Sequence, residues 1–285
     1  MRKRILSIIL AALMLILTIP ITSLAETNGT FTELQNLIDN DVDGTLKLEK
    51  DYVNSGSESQ ITINKDFTLD LNGHVINGCY VSRIIDIENN ANVSIEDSNK
   101  TVVHKFNVDE WSLATLNESS GTVTINGGCI TGGNASIASN NKGSGIYINS
   151  GSLAINSGNI IGNKMSKKYQ SGAGIAAENG ANVSINGGMV SYNSAAWEGY
   201  GGGIYLNNSR LTINGGIVSH NYGNYGGGIT VYDGGNLVVN DGTISNNTAG
   251  HNGAGIAIMG SSAEAIACAT INGGIIEENV NTGTW

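Results

Sequence analysis

The sequence has 285 residues, with 24 acidic against 14 basic side chains and a formal net charge of −10. This acidic balance, without a basic face, excludes nucleic acid as an expected partner, and it disfavours anionic glycans unless a cation bridges them. The length suits one domain with a large core.

The first 25 residues have the three parts of a secretory signal peptide. Arg2, Lys3 and Arg4 form a basic start, residues 5–19 form an apolar stretch, and a small-residue cleavage site ends at Ala25. A retained membrane anchor is disfavoured because the stretch is shorter than the roughly 20 residues of a membrane span. The sequence therefore predicts a protein that is secreted or held at the cell surface, with no transmembrane segment after signal removal.

Residues 26–45 are predicted to form an N-terminal cap. A short helix is expected over residues 31–40, because Thr30 and Glu33 have the spacing of a capping box. A helix here would cover the unpaired edge of the first layer of a stack of strands. The apolar side chains that share its inner face are Phe31, Leu34, Leu37 and Ile38.

From residue 46 to residue 285 a degenerate repeat recurs at intervals of roughly 25 to 32 residues, a period typical of stacked repeats. Each copy has a Gly-x-Gly-Ile opening, a Thr-Ile-Asn-Gly-Gly middle and an apolar-x-x-Asn close. The opening gives a column of isoleucines: Ile146, Ile175, Ile204, Ile229 and Ile256. The middle gives Asn126, Asn156, Asn186, Asn214, Asn240 and Asn272, and the close gives Asn163, Asn193, Asn221, Asn247 and Asn279.

Within one copy, three short segments alternate apolar and outward residues and end in turn formers, as β-strands do. Such segments bury their apolar faces only when they are stacked on further copies. The predicted fold is therefore all-β, a right-handed single-stranded parallel β-helix of about eight rungs. An insertion is expected over residues 100–111, with the pattern resuming at 113–116 and 123–128. No cap of different composition follows Asn279, so the stack is expected to be truncated or uncapped at its C-terminal end.

The asparagine columns are interpreted as structural, because side-chain amides bond to neighbouring backbone and suit left-handed turns. The odd count of cysteines, Cys79, Cys129 and Cys268, prevents a complete set of disulfides. We interpret them as small hydrophobic residues. No cofactor or metal is expected from these motifs, and calcium binding stays open.

The aromatic residues are the sharpest functional feature of the sequence. Their rings can stack on sugar rings while a phenol hydroxyl bonds to a sugar hydroxyl. The alternative is that they pack over neighbouring loops and stiffen them. The candidate glycan-binding residues are Tyr147, Trp197, Tyr200, Tyr205, Tyr222, Tyr225 and Tyr232.

Catalysis is the second possibility. Hydrolysis of a glycan needs two carboxylates at a suitable separation. Asp70, Asp86, Glu96 and Asp97 fall in adjacent early layers and are candidates for an acidic patch near Arg83. The alternative is an ordinary solvated face, and no residue is assigned a catalytic role.

The repeat resembles that of the polymorphic outer membrane proteins, although this chain has Val or Ile where that family has Phe. The matching motifs are GGGI at 201–204 and 226–229, VSYN at 190–193, VSHN at 218–221 and ISNN at 244–247. More broadly the chain is similar to the pectate-lyase-like β-helix superfamily, to which the segment LDLNGHVI at 69–76 is also similar.

The resemblance implies a bacterial surface adhesin or passenger module, with an extracellular glycan or a host or neighbouring cell surface as partner. No catalytic signature of a lyase or polygalacturonase carries over. Three functions are kept: a glycan-binding adhesin, a polysaccharide lyase or glycoside hydrolase, and a structural stalk for a missing C-terminal module.

Overall fold

The computed structural model describes residues 27–107, 122–137 and 140–283, without the side chains of Ala196 and Trp197. The predicted signal peptide lies outside the described residues. Within them the chain forms one α-helix, α1 (Phe31–Asn40), one 3-10 turn (Ala135–Ile137) and 29 strands.

The strands of the first half are short and follow one another with few residues between them. They are β1 (Gly29–Thr30), β2 (Thr45–Lys47), β3 (Tyr52–Val53), β4 (Ile61–Ile63), β5 (Phe67–Asp70), β6 (Val75–Asn77), β7 (Ile85–Ile87), β8 (Asn92–Glu96), β9 (Val103–Asn107), β10 (Thr122–Asn126), β11 (Cys129–Thr131), β12 (Ile146–Asn149), β13 (Ser152–Ile155), β14 (Asn159–Ile161) and β15 (Lys164–Met165).

The strands of the second half include two of ten residues. They are β16 (Ile175–Glu178), β17 (Asn182–Ile185), β18 (Met189–Ser191), β19 (Ser194–Tyr200), β20 (Ile204–Asn207), β21 (Arg210–Ser219), β22 (Tyr222–Tyr225), β23 (Ile229–Tyr232), β24 (Asn236–Ser245), β25 (Thr248–Asn252), β26 (Ile256–Met259), β27 (Cys268–Ile271), β28 (Ile275–Glu277) and β29 (Val280–Asn281).

Apart from β9 and β10, these strands stack in parallel into a β-solenoid, which confirms the predicted all-β parallel solenoid of about eight turns. We call the seven-stranded sheet β4, β7, β12, β16, β20, β23 and β26 sheet 1. The largest sheet, sheet 2, has two lanes that merge at β21 and β24, and one of them runs through eight strands from β2 to β27. Sheet 3 contains β15, β19, β22, β25 and β29 and carries the chain from sheet 2 to the next layer of sheet 1.

The column of isoleucines is a single interior file, as predicted. Consecutive strands of sheet 1 pair Ile146 with Ile175, Ile175 with Ile204, Ile204 with Ile229, and Ile229 with Ile256. The first four are fully buried, and full burial of such a side chain stabilises the fold by roughly 1.5–3 kcal/mol. Identical side chains at the same height in each layer therefore build one continuous core.

The asparagines that close each repeat form a buried ladder, which supports their structural interpretation. In each layer the amide Oδ1 accepts hydrogen bonds from the backbone N–H and the Nδ2 of the asparagine one layer earlier, as Asn221 does from Asn193 at 3.0 Å each. The Nδ2 donates to a main-chain carbonyl, for example Val190 O at 2.9 Å. The members are Asn163, Asn193, Asn221, Asn247 and Asn279.

A second asparagine ladder lies on the exposed surface of sheet 2. Asn186 donates to Asn156, Asn214 to Asn186, Asn240 to Asn214 and Asn272 to Asn240, at 2.8–2.9 Å. The ladder begins at Glu96, which accepts from the Nδ2 of Asn156 at 3.3 Å. A carboxylate therefore replaces an asparagine at the start of this column.

One prediction about the order of layers is wrong, because the segment around Asn126 does not belong to the stack. Strand β10 pairs antiparallel with β9, with Val123 opposite Phe106 and Asn126 opposite Val103. Strand β13 instead stacks directly on β8. The insertion therefore extends to Asn126, and the parallel pattern resumes at Cys129, which lies between Val75 and Asn159.

The predicted helix is present with the predicted bounds and covers the first layer. The side chain of Thr30 accepts a hydrogen bond from the Glu33 backbone N–H at 3.1 Å. Phe31, Leu34 and Ile38 are buried. The predicted inner face is wrong at one position, since Leu37 is 41% exposed; it lies at the margin of the face that packs on the strands.

A carboxylate from the following loop completes the helix N-terminus. Glu58 accepts hydrogen bonds from the backbone N–H groups of Phe31, Thr32 and Ser55, at 3.2, 2.9 and 3.1 Å. Burial alone would raise its pKa, but the hydrogen bonds outweigh burial and lower the pKa to about 2. A negative charge at a helix N-terminus is also favoured by the helix dipole.

Because the folded pKa of Glu58 lies below its unfolded value, the stabilisation is present at neutral pH and is lost as the pH falls from about 5 toward 2. We expect Glu58→Gln to remove about 1 kcal/mol of this acid-dependent stability, a value reduced because the half-exposed group is screened by solvent. Urea unfolding as a function of pH measures it. Glu49→Gln, at an exposed position in a nearby turn, is the control, and identical pH profiles for the Glu58 variant and the wild type would contradict this role.

All three cysteines are free, with Cys129 buried and Cys79 and Cys268 exposed. Cys129 shares a column of sheet 2 with Met189 and Ile217, which confirms its prediction as a small hydrophobic residue in the stack. Burial also raises the pKa of its thiol, so the thiol stays protonated.

Candidate functional site

The outward side of sheet 1 carries most of the predicted site residues. Inward isoleucines alternate with outward side chains, because successive residues of a strand point to opposite faces. The central outward column contains Asp86, Tyr147, Ala176, Tyr205 and Thr230. The next outward column contains Asn149, Glu178, Asn207 and Tyr232. We call this surface, with the residues that enter it from sheet 3, the tyrosine face.

Four tyrosines form a contiguous cluster on the tyrosine face. Tyr200 and Tyr225 end strands of sheet 3, pair across the ladder, and stack with ring centroids 5.1 Å apart and 17° between planes. Tyr205 and Tyr232 lie beside them with centroids 6.0 Å apart. The stack continues from Tyr225 to the ring of His251 at 5.2 Å. The parallel register therefore arranges single rings from several layers into one aromatic strip.

The rings differ in how accessible they are. Tyr147 and Tyr205 are only 7% and 5% exposed, whereas Tyr200, Tyr225 and Tyr232 are half-buried. Burial raises the pKa of Tyr205 above its usual range, so its hydroxyl stays protonated. The first two rings pack against the sheet, and the other three offer surface to a ligand.

An ionic network adjoins the cluster on its N-terminal side. Arg83 donates to the Asp86 carboxylate at 2.5 Å, and both side chains are buried. The guanidinium also lies over the ring of Tyr147, 4.4 Å from its centroid. Burial raises the pKa of Asp86, and the adjacent guanidinium opposes that effect.

The network continues one layer further through a second carboxylate. The Tyr147 hydroxyl donates to Glu178 at 3.0 Å, and Lys142 forms an ion pair with the same carboxylate at 2.5 Å. Asn207 also donates to it at 3.2 Å. Burial and then the negative charge of Glu178 raise the pKa of Tyr147 above its usual range, so this phenol is a hydrogen-bond donor at neutral pH.

Lys142 joins the ionic network to the aromatic cluster. Its ammonium lies 6.0 Å from the centroid of the Tyr205 ring, within the range of a cation–π contact. Charged, amide and phenol groups thus follow one another from Asp86 to Tyr232, across five strands of sheet 1. At roughly 4.8 Å per strand, the strip is about 20 Å long, and it runs along the axis of the solenoid.

One predicted aromatic residue, Tyr222, packs away from this cluster. Tyr222 begins the strand that Tyr225 ends, and its ring packs against the buried group of Ile125, Cys129 and Ile161. Burial raises its pKa. Trp197 lies in strand β19, but its side chain is outside the described residues.

The predicted acidic patch is divided between two surfaces. Asp86 alone joins Arg83 on the tyrosine face, while Asp70 and Glu96 face each other in neighbouring strands of sheet 2. Asp97 accepts hydrogen bonds from the backbone N–H groups of Gly73 and Gly128, at 2.7 and 2.9 Å. Asp97 therefore stabilises turns, and the four carboxylates do not form one site.

Three site residues escaped sequence reasoning: Lys142, Glu178 and Asn207. Their signal was present in the register, because Glu178 occupies the column that holds Asn149 and Asn207 in adjacent layers. A carboxylate between two amides in one column, one layer from an outward tyrosine, is the sequence signal that could have identified the network.

Among the described residues no group of three or more His, Cys, Asp or Glu side chains is placed to hold a metal ion. The same part of the chain contains no helix with the length and apolar character of a membrane span. Comparison with protein-family models, curated proteins and solved structures gives no match.

Proposed function

We propose that this protein is a secreted or cell-surface glycan-binding module of an adhesin type, and that the tyrosine face binds an extended glycan. The likeness to right-handed β-helices of the pectate-lyase-like superfamily and to polymorphic outer membrane protein repeats belongs to the same proposal. It supports a bacterial protein that meets an extracellular glycan or a neighbouring cell surface.

The stacked cluster of half-buried tyrosines is the observation that carries this proposal. Ring faces bind sugars through apolar area, and each phenol adds a hydrogen bond. Because Tyr200 and Tyr225 are stacked by the ladder and Tyr232 lies 6.0 Å from Tyr200, their positions are fixed before a ligand arrives. A preorganised site loses less conformational entropy on binding.

The shape of the tyrosine face favours a linear ligand. Its groups follow the stacking direction, so consecutive units of a polysaccharide would meet consecutive layers. Lys142 is neutralised by Glu178, and the chain carries a net negative charge. A neutral glycan is therefore favoured over a polyanion.

We expect the double variant Tyr200→Ala and Tyr225→Ala to lose at least about tenfold in affinity for the glycans that the wild type binds on an array. The reason is that each tyrosine ring stacked on a sugar contributes on the order of 1 kcal/mol to binding. Circular dichroism checks that the β-signal is kept. Tyr192→Ala is the matched control, because Tyr192 also stacks on a ring, that of His220 at 4.8 Å, but on a different face. Unchanged binding by the double variant would remove the tyrosines from the proposal.

Catalysis is a second candidate, favoured by the carboxylates and lysine beside the rings. Lyase or glycosidase action on a polysaccharide needs ionisable groups in contact with the sugar, and we propose Glu178, which accepts a hydrogen bond from the Tyr147 hydroxyl, as the group for this role. New reducing ends or an unsaturated product, formed by the wild type and not by Glu178→Gln, would establish it. A stalk that supports another module is the remaining alternative. It would be favoured if the wild type neither bound any glycan on the array nor formed any product in the activity assays.

A further inference from the structure

A polar cavity lies at the N-terminal end of the tyrosine face, beyond the stacked rings. Its volume is about 540 Å³, and it is lined by Gln60, Asp86, Asn140, Asn149 and Ser150, among others. This volume falls within the roughly 300–1,000 Å³ of small-molecule sites. The Tyr147 ring forms part of the wall, so the cavity continues directly into the strip.

The lining chemistry is that of hydroxyl recognition. Side-chain amides offer both donors and acceptors, and a serine hydroxyl offers both in one atom. Asn140 precedes β12, Asn149 ends it and Ser150 follows it, which places amide and hydroxyl groups around one opening. A ligand with many hydroxyl groups can pair with these groups in several directions.

The charges in the cavity argue against an anionic ligand. One guanidinium, Arg83, faces two carboxylates, Asp86 and Glu88. The Arg83 donors are already engaged: the Nε hydrogen bonds to the carbonyl oxygens of Lys142 and Gly143 at 3.1 Å, and the terminal nitrogens bond to Asp86, Asn140 and Lys142 O. The arginine therefore positions the wall and has little capacity left for a ligand carboxylate.

One acceptor in the wall has no partner. The Asp86 carboxylate binds Arg83 and Gln60 through Oδ2, the latter at 2.6 Å, while its buried Oδ1 has no hydrogen-bond partner. An unsatisfied buried polar atom is costly. Terminal carboxylate torsions are broad, and a rotation that displaced the half-buried Gln60 amide would turn this oxygen toward the cavity and a ligand hydroxyl.

We propose that this cavity is a subsite for one uncharged, hydroxyl-rich sugar unit, which extends the tyrosine face and selects neutral glycans over uronates. The inference rests on the proposed function, because the strip would hold the units that follow. Asp86 accepts a sugar hydroxyl, and the amides of Asn140 and Asn149 hold the neighbouring hydroxyls. A carboxylate on the sugar would meet Asp86 and Glu88 without a free cation.

The test uses NMR of the side-chain amides, with galactose, glucose, mannose and N-acetylglucosamine as neutral probes. Galacturonate, which differs from galactose at C6, is the charged counterpart. We expect the Asn140 and Asn149 signals to shift with at least one neutral sugar, and galacturonate to bind at least about tenfold more weakly than galactose at low salt.

Asn149→Phe fills the opening from an exposed position and should abolish the shift at Asn140. Gln60→Ala, which leaves the Arg83–Asp86 pair in place, should change the response without filling the cavity. Asn186→Ala, in the exposed ladder of sheet 2, is the matched control and should leave the response intact. The proposal is overturned by no shift with any neutral probe, by galacturonate binding as tightly as galactose, or by an unchanged response in Asn149→Phe.

These outcomes are separable from failure of the proposed function. A cavity response that persists while array binding survives loss of Tyr200 and Tyr225 would contradict the tyrosine strip alone. Array binding that depends on the tyrosines and is unchanged by Asn149→Phe would contradict the subsite alone.

Discussion

Replacing Asn221 by alanine is expected to destabilise the protein by about 4 kcal/mol, because its buried amide makes four hydrogen bonds that nothing else can replace. Its Oδ1 accepts from the backbone N–H and the Nδ2 of Asn193, and its Nδ2 donates to Val190 O and to Asn247 Oδ1. Alanine removes all four bonds at a fully buried position, although Asn193 Nδ2 and Asn247 Oδ1 each keep another partner. Chemical denaturation, followed by circular dichroism, measures the loss.

Asn214→Ala is the matched control for this prediction. Asn214 is an exposed member of the second ladder and also joins two amides, donating to Asn186 and accepting from Asn240. Water can replace its partners, so the expected loss is about 0.5 kcal/mol. Equal losses for the two variants would show that amide stacking alone, without burial, determines the contribution of the ladders.

Gly203→Ala is the second large effect, with an expected loss of about 3 kcal/mol or failure to fold. A Cβ at this position would lie 2.6 Å from the carbonyl oxygen of Gly228 and 2.9 Å from Nδ2 of Asn221. The Gly228 carbonyl accepts from the backbone N–H of Ile204 at 2.8 Å, and Asn221 is held in the buried ladder, so neither neighbour can move away without breaking hydrogen bonds. The φ angle of Gly203 is not positive, and the effect would therefore come from close approach of layers rather than from backbone strain.

Gly250→Ala tests whether close approach is the cause. Gly250 also has no positive φ, but the atoms nearest to a Cβ there belong to the side chains of Asn224 and Tyr222, at 3.3 Å. Side-chain ends can yield, so we expect a loss of about 1 kcal/mol or less. Comparable unfolding midpoints for the two variants would argue against a steric limit on the spacing of the layers.

The sequence was sufficient for the interior of the fold and insufficient for the order of one layer. Identical residues at matched positions, such as Ile175 and Ile204, can stack only in one register, because a slip of one residue would expose the whole file. The segment around Asn126 has the same motif, yet it pairs antiparallel with β9. Which strand it joins is decided by a partner elsewhere in the chain, and a local motif carries no information about that choice.

The site was predictable in its aromatic part and not in its ionic part. An outward column containing Tyr147 and Tyr205 follows from strand alternation alone. Which rings stay accessible depends on neighbours that cover them, and Tyr205 is buried where Tyr232 is not. The pairing of Lys142 with Glu178 joins residues 36 positions apart, through a turn whose length the repeat does not fix.

The direct pairing of β13 with β8 shows how such a solenoid can tolerate insertions during evolution. Their paired residues are separated by 60 positions, as Ser152 and Asn92 are, about twice the interval between other neighbouring layers. The antiparallel pair β9 and β10 therefore lies outside the stack, and the layers that contain β8 and β13 pair directly with each other. A solenoid of this kind can accept an inserted segment at a turn between strands. A new surface can therefore evolve there while the packing of the stacked core stays the same.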